Sequence, residues 1–433
     1  MKALVLIGGF GTRLRPVTYA LPKQLIPIAG KPMLYHVLDL LPPDVEEVVL
    51  ATGYRADQVE AYVRAHPLPW PVRSVPEAEP LGTGGGMKHA GGGMSDPFFL
   101  LNSDVIASAD LGALAALHRR RGGVGAMSLF EVDDPRPYGV AALGPDDRIT
   151  GFVEKPEPAD APSRWINAGL AVWRRSAIDR IPAGRPVSFE REVVPGLLAD
   201  GLFGFRLTGY WDDAGTPERL LRSQRLLFDD GRGRSVGLPD GATGRGPVAA
   251  MDGAAARGAR LGPYVTLGPG AVVGPGAHVE DSVVMDGARI GPDARVAGCV
   301  IGPGVDVPAG ARLERQVLAT AGPTTQAAGP VTTTFTASAG WPARRKAASI
   351  SASGNRSVTR SPIRSRSATT SRWTSAMSAS TVAYDGITRT PRRYSCCRST
   401  SSRLPASGRP NRLTVPPRRA SSTAVRATDG CPV

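Results

Sequence analysis

The chain has 433 residues, with 52 Lys and Arg against 38 Asp and Glu for a formal net charge of +14, and that length provides for two or three domains with a sizeable core. No apolar run approaches the roughly 20 residues needed to cross a bilayer, which argues against a membrane partner and sets the expectation of a cytoplasmic protein. The charge is a weaker argument for nucleic acid than its size implies. Residues 321–433 hold 18 of the basic and 2 of the acidic side chains, so the tail carries +16, residues 1–320 carry −2, and no specific nucleic-acid partner is expected.

In chain order, residues 2–7 read as a buried strand that runs straight into Gly8-Gly9-Phe10-Gly11-Thr12-Arg13-Leu14-Arg15-Pro16, with Pro22-Lys23-Gln24 following. Glycines after a strand let backbone N–H groups approach phosphate oxygens. Arg13 offers a planar fork and Lys23 a point charge to the same anion. The loop is neither G-x-G-x-x-G nor a G-K-[ST] phosphate loop, so neither a dinucleotide nor a kinase-type reading follows. Residues 32–41 carry apolar side chains at 33, 34, 37, 38 and 41, a helical stripe opened by proline. Strands over 47–51, 97–101 and 125–132 and helices over 56–64 and 111–119 continue the alternation. It predicts an α/β, Rossmann-like domain with a mostly parallel sheet and helices on both faces. In such sheets ligands collect at the carboxyl ends of strands, so the glycine loop and Asp104, both at strand ends, are expected to share one cleft.

Residues 231–260 read as a linker. A six-residue repeat follows: Leu261-Gly262-Pro263, Leu267-Gly268-Pro269, Val273-Gly274-Pro275, Val279, then Ile290-Gly291-Pro292, Val296, Ile301-Gly302-Pro303 and Val307, with small residues such as Ala271, Ala277 and Ala294 four places on. This is the hexapeptide signature of a parallel β-helix, here a short stack of two to three coils over 261–315 with an insertion around 281–288. From 321 to 433 serine, threonine, arginine and proline replace the pattern, and such a stretch cannot bury enough apolar surface to offset its ordering entropy. It reads as a disordered basic tail, as a tail for an anionic surface or RNA, or as out-of-frame translation. The abrupt changeover and the excess of arginine over lysine favour the last. Cys299, Cys396, Cys397 and Cys431 show no metal-ligand or disulfide-scaffold spacing.

Eight motifs stand in order: the glycine loop, Pro22-Lys23-Gln24, Glu79-Pro80-Leu81-Gly82-Thr83-Gly84-Gly85, Leu101-Asn102-Ser103-Asp104, Tyr138-Gly139, Glu154-Lys155-Pro156, Asn167-Ala168-Gly169 and Tyr210-Trp211-Asp212-Asp213-Ala214-Gly215-Thr216-Pro217-Glu218. Together they resemble the sugar-1-phosphate nucleotidyltransferase family, with residues 1–230 as its catalytic domain and the repeat as the left-handed β-helix that some members append. The resemblance implies attack by a sugar-1-phosphate oxygen on the α-phosphorus of a nucleoside triphosphate, with Mg2+ and release of pyrophosphate. It implies that Gly8, Gly9, Gly11 and Thr12 cradle the nucleotide, that Arg13 and Lys23 neutralise phosphate, and that Gly82, Thr83 and Gln24 meet the base. It further implies that Asp104 and Asp213 hold the metal and that Gly139, Glu154, Lys155 and Asn167 grip the sugar phosphate. A homo-oligomer is expected.

Against these roles stand plain alternatives: a turn or cap aspartate for Asp104, Asp212 in place of Asp213, and an exposed charged turn for Glu154 and Lys155. Residues 9–11 and 80–85 lean toward mannose-1-phosphate guanylyltransferases. Gln24 is similar to thymidylyl-type members, so a thymidylyl- or uridylyltransferase stays open. Two further readings are acyl transfer on the β-helix, for which His278 is the candidate base, and a non-catalytic sugar-nucleotide-binding regulatory subunit. The joint presence of Arg13, Lys23, Asp104, Lys155 and Asp213 argues against the latter.

Overall fold

The computed structural model describes residues 1–234, 236–320 and 330–334; apart from 330–334, the tail expected over 321–433 lies outside the described residues. In chain order the elements are β1 (Ala3–Ile7), α1 (Met33–Leu38), β2 (Val48–Thr52), α2 (Ala56–Ala65), β3 (Val72–Pro76), α3 (Gly82–Ala90), β4 (Phe98–Asn102), β5 (Val105–Ala107), α4 (Leu111–Arg121), β6 (Gly125–Glu131), β7 (Gly139–Leu143), β8 (Ile149–Glu154), β9 (Trp165–Trp173), β10 (Leu202–Arg206), β11 (Trp211–Asp213) and α5 (Pro217–Asp229). No helix among the described residues is long and apolar enough to cross a membrane.

β1 is apolar throughout and lies mid-sheet, parallel to β2 on one side and β4 on the other, with β3 parallel to β2. Its alternate side chains serve two cores. Ala3, Val5 and Ile7 pack with Leu34, Val37 and Leu114, whereas Leu4 joins Val49, Met87, Phe98 and Trp173. α4 starts on a side-chain cap, Asp110 Oδ1 accepting from Ala113 N–H at 2.9 Å. The sheet is only half parallel, however. β9 runs antiparallel to β4 and β6, and β7 antiparallel to β8. The connection between β7 and β8 is a short polar turn rather than a helical crossover, which permits only antiparallel neighbours.

The repeat region forms a parallel β-helix with three faces. Five rungs stack on the first face (Thr243–Gly244, Arg260–Leu261, His278–Glu280, Arg295–Ala297, Arg312–Glu314). Two corrections to the sequence reading follow. The stack begins inside the presumed linker, because Val248, Ala256 and Ala259 fill the interior where larger aliphatics would have signalled a coil. The presumed insertion is an ordinary coil, since Ser282–Val284 pairs in register with Val265–Leu267. The six-residue step simply shortens to five at Val279 to Val284 and again at Val296 to Ile301, all four buried. The last rung, Gln316–Thr320, is covered by an antiparallel return, Pro330–Thr334.

The second face turns Ala249, Thr266, Val283, Val300 and Val317 outward in one ladder. Apart from Thr266, these form one buried apolar cluster with Leu220, Leu227 and Phe228 of α5 and with Leu14, Val17, Ile26 and Ile28 from the segment after the glycine loop. Thr266 Oγ1 donates to Gln224 Oε1 at 2.6 Å, Gln224 Nε2 donates to Tyr264 O at 2.8 Å, and Arg225 Nε donates to Asp281 Oδ1 at 2.6 Å. The β-helix therefore packs against the back of the segment that carries Arg13 and Lys23.

Candidate active site

β1 and β4 end side by side. The Ser103 hydroxyl donates to Leu6 O at 2.7 Å, which brings the glycine loop next to Asp104. Lys23 Nζ donates to Asp104 Oδ2. β11 pairs antiparallel with β5, Asp213 opposite Val105, and Ala214 N–H donates to Asp104 O at 3.0 Å. The Arg13 guanidinium lies over Gly215, where an added Cβ would stand 2.6 Å from its Nη2, so a side chain there would push the guanidinium aside. Arg13, Lys23, Asp104 and Asp213 thus form one cluster built from four separate stretches of chain.

The electrostatics of the cluster bear on the choice between the two aspartates. Burial alone would raise the Asp104 carboxyl, but Lys23, and more weakly Arg13, hold it below the usual carboxylate range. Asp213 is raised by burial, with Arg219 opposing and Asp104 adding to the rise. Arg219 donates to Asp213 and stacks over Tyr138, its Cζ 5.4 Å from the ring centre. Asp212 points the other way, as strand alternation requires. It is buried, faces Arg222 at 3.4 Å, has an Oδ2 without a hydrogen-bond partner, and is pushed up by burial to about 7.

A cavity of about 330 Å3 opens beside this cluster, walled by Gly8, Gly9, Phe10, Lys23, Gln24, Glu77, Pro80, Gly82, Thr83, Asn102 and Asp104 among others. Gln24 is buried with Nε2 on Ser103 Oγ at 3.2 Å and Oε1 unpartnered. Gly11 and Thr12 do not line this cavity; Gly11 packs on Thr18 and Lys23, and Thr12 is exposed. The Thr83 hydroxyl is engaged within the fold, donating to Glu190 Oε2 at 2.6 Å. Glu154 and Gly139 are register partners on β8 and β7, and Lys155 Nζ stands 3.3 Å from Glu154 Oε1. Lys155 holds φ at +53°, a left-handed conformation rare outside glycine, while its N–H donates to Tyr138 O at 2.9 Å. Asn167 Oδ1 accepts from Gly169 N–H at 3.0 Å. Gly169 in turn packs against Asn102, so the two sides meet at the end of β4. His278 stands on the first face of the β-helix, between Arg260 and Arg295 in its ladder.

Three site residues escaped the sequence reading. Glu77 follows β3, its N–H donating to Thr52 O at 2.7 Å, and projects its carboxylate toward Gly8. Oε2 accepts from Leu81 N–H at 3.1 Å, and burial raises the carboxyl, with that N–H and His89 opposing. Arg219 and Glu190 were missed because Arg219 lies one residue beyond the last motif, on α5, and Glu190 lies in a segment with no motif of its own. Only the acidic pair Glu77 and Glu79 ahead of Pro80 was a signal.

The nucleotidyl transferase family profile matches residues 2–229, and the GMPPB C-terminal domain profile matches 246–331. The chain belongs to the nucleotidyl transferase family. A mannose-1-phosphate guanylyltransferase of Mycobacterium tuberculosis is 40% identical over 323 residues, 73% of this chain and 83% of that one. A probable mannose-1-phosphate guanylyltransferase 1 of Oryza sativa subsp. japonica is 37% identical over 329 residues, covering 73% and 90%. The structure of HddC from Yersinia pseudotuberculosis aligns at 28% identity and a TM-score of 0.45, over 52% of this chain and 98% of that one.

Proposed function

We propose that the chain transfers a guanylyl group from GTP to mannose 1-phosphate, giving GDP-mannose and pyrophosphate. The observation that carries the choice of nucleotide is the Glu77 carboxylate in the cleft wall. Guanine offers two adjacent donors, its N1–H and its 2-amino group, and a carboxylate accepts both. Uracil and thymine offer one N–H between two carbonyls, so the same carboxylate would face acceptors. The relatives named above support the sugar.

The reaction is an in-line displacement, and the chain's own residues have positioning and neutralisation to supply. In this reading Gly8 and Gly9 present backbone to the triphosphate. Arg13 and Lys23 take up charge as it moves onto pyrophosphate. Lys155 holds the phosphate of the attacking sugar, whose phosphate oxygen forms the new bond to the α-phosphorus as the bridge to the β-phosphate breaks. Glu154, Asn167 and Gly139 orient the ring. Asp104 and Asp213 form an oxygen-only donor pair, near enough that Asp104 adds to the rise that burial imposes on the Asp213 carboxyl. This fits a hard divalent cation, and the two acids would hold Mg2+. The chemistry that such an ion would supply there is neutralisation of phosphate charge. A homo-oligomer through the β-helix belongs to the same reading and is measured by sedimentation.

The test is pyrophosphate release from GTP, dTTP, UTP, ATP and CTP with mannose 1-phosphate or glucose 1-phosphate, for wild type and Glu77→Gln. GTP with mannose 1-phosphate should be fastest. The variant should lose roughly 10- to 100-fold in kcat/KM for GTP, as expected when a bidentate contact becomes a single one. Unchanged nucleotide preference in the variant contradicts the assignment.

A further inference from the structure

Glu190 has no part in the chemistry above, yet it stands where the two substrate sides meet. It lies in the turn Phe189–Val193, closed by a wide bond from Val194 N–H to Phe189 O; single π turns of this kind concentrate at functional sites. Its Oε2 accepts from the Thr83 hydroxyl at 2.6 Å, and that hydroxyl accepts from Phe189 N–H at 2.9 Å. The close approach depends on Gly84, where a Cβ would stand 2.9 Å from Val187 Cγ1 and whose N–H donates to Val187 O at 2.8 Å. On its other side Glu190 shares with Asn102 and Asn167 a second cavity of about 20 Å3, room for about one water.

The charges that act on its carboxyl come from Glu154 and Lys155, both on the sugar side. Burial raises that carboxyl most; Thr83 opposes, Glu154 adds to the rise, and Lys155 opposes more weakly. A buried carboxylate beside a second one is costly unless further donors reach it. Pyranose hydroxyls are such donors, and a carboxylate can only accept.

We propose that Glu190 reads the sugar: its carboxylate accepts a hydrogen bond from a ring hydroxyl of the hexose 1-phosphate, and so selects among hexoses. This rests on the nucleotidyl-transfer reading above. The rival role is a brace that only fixes Thr83 and the start of α3.

Steady-state kinetics of Glu190→Gln, Thr83→Val and wild type on mannose 1-phosphate and its 2-, 3-, 4- and 6-deoxy analogues separate the two. Glu190→Gln should raise KM for mannose 1-phosphate about 10-fold or more, as when a buried polar contact is lost, with KM for GTP within about twofold. On one deoxy analogue, the one lacking the contacted hydroxyl, wild type and Glu190→Gln should perform alike. The proposal is overturned if KM for GTP rises as much as KM for the sugar, if the penalty is the same on every analogue, or if Thr83→Val reproduces the whole pattern. Matching melting temperatures show that the variants fold. Wild-type turnover of GTP with mannose 1-phosphate tests the parent reading separately. If another nucleotide and hexose are used, that reading fails and the deoxy series is run on the hexose used. If there is no turnover, calorimetric binding of the sugar phosphate to wild type and Glu190→Gln decides, with equal affinity overturning the proposal.

Discussion

Asp104 sits between a lysine that touches it and a second aspartate held by Arg219. Each acid thus has a cation of its own in the described structure, so removing either acid frees a positive charge beside the cleft and, in the proposed function, deletes a ligand as well. Asp104→Asn should lower kcat on the order of 10^3-fold or more, beyond the effect of one lost electrostatic contact, with little change in melting temperature. Stopped-flow or coupled pyrophosphate release measures it. Chelation by EDTA should abolish turnover, and added Mg2+ should restore it; undiminished activity in EDTA counts against the metal assignment. Residues carried by contiguous motifs, such as Gly8, Asp104 and Lys155, were legible in the sequence because strand, loop and charge stand together there. The Glu190 contact was not, because it joins residues 107 positions apart.

The start of α3 shows how glycine content serves packing as well as the ligand. Gly82-Thr83-Gly84-Gly85 read as a base-binding loop, yet the segment 187–190 lies hard against it. Gly84→Val should therefore cost about 1–3 kcal/mol, the usual penalty for overpacking, and should also raise KM for both substrates by displacing Thr83 and Glu190. Chemical denaturation with parallel kinetics checks both effects. The β-helix was legible where its hexads carry Leu, Val and Ile. Its first coil was not, because Ala256 and Ala259 fill the same interior positions and carry no periodic aliphatic signal. The mixed sheet was also missed: alternation of strand and helix fixes the parallel half, but β7 to β9 follow one another without intervening long helices, and local pattern does not give their direction.

At the scale of the described molecule, the outward ladder of the second face of the β-helix and the segment after the glycine loop share one apolar cluster. Val300→Asp would place an unpaired charge in it, so it should destabilise by about 3 kcal/mol or more and lower kcat, because the segment that carries Lys23 loses its support. A drop in melting temperature with unchanged kcat would show that the two parts are packed together but not coupled. The family matches end at residue 331, close to the last described strand. Ending the chain after Thr334 should therefore leave melting temperature and turnover unchanged, and would lower the non-specific affinity for polyanions that a +16 tail confers.

In the proposed function a carboxylate in the cleft wall selects guanine, and a basic and acidic cluster joins the nucleotide to a hexose phosphate. That selection is tested most directly by offering equal GTP and dTTP with mannose 1-phosphate and Mg2+ and identifying the products by mass spectrometry. GDP-mannose should exceed the thymidylyl product by about 100-fold or more, as a hydrogen-bonding pocket permits. A predominantly thymidylyl product, or an even mixture, would contradict it.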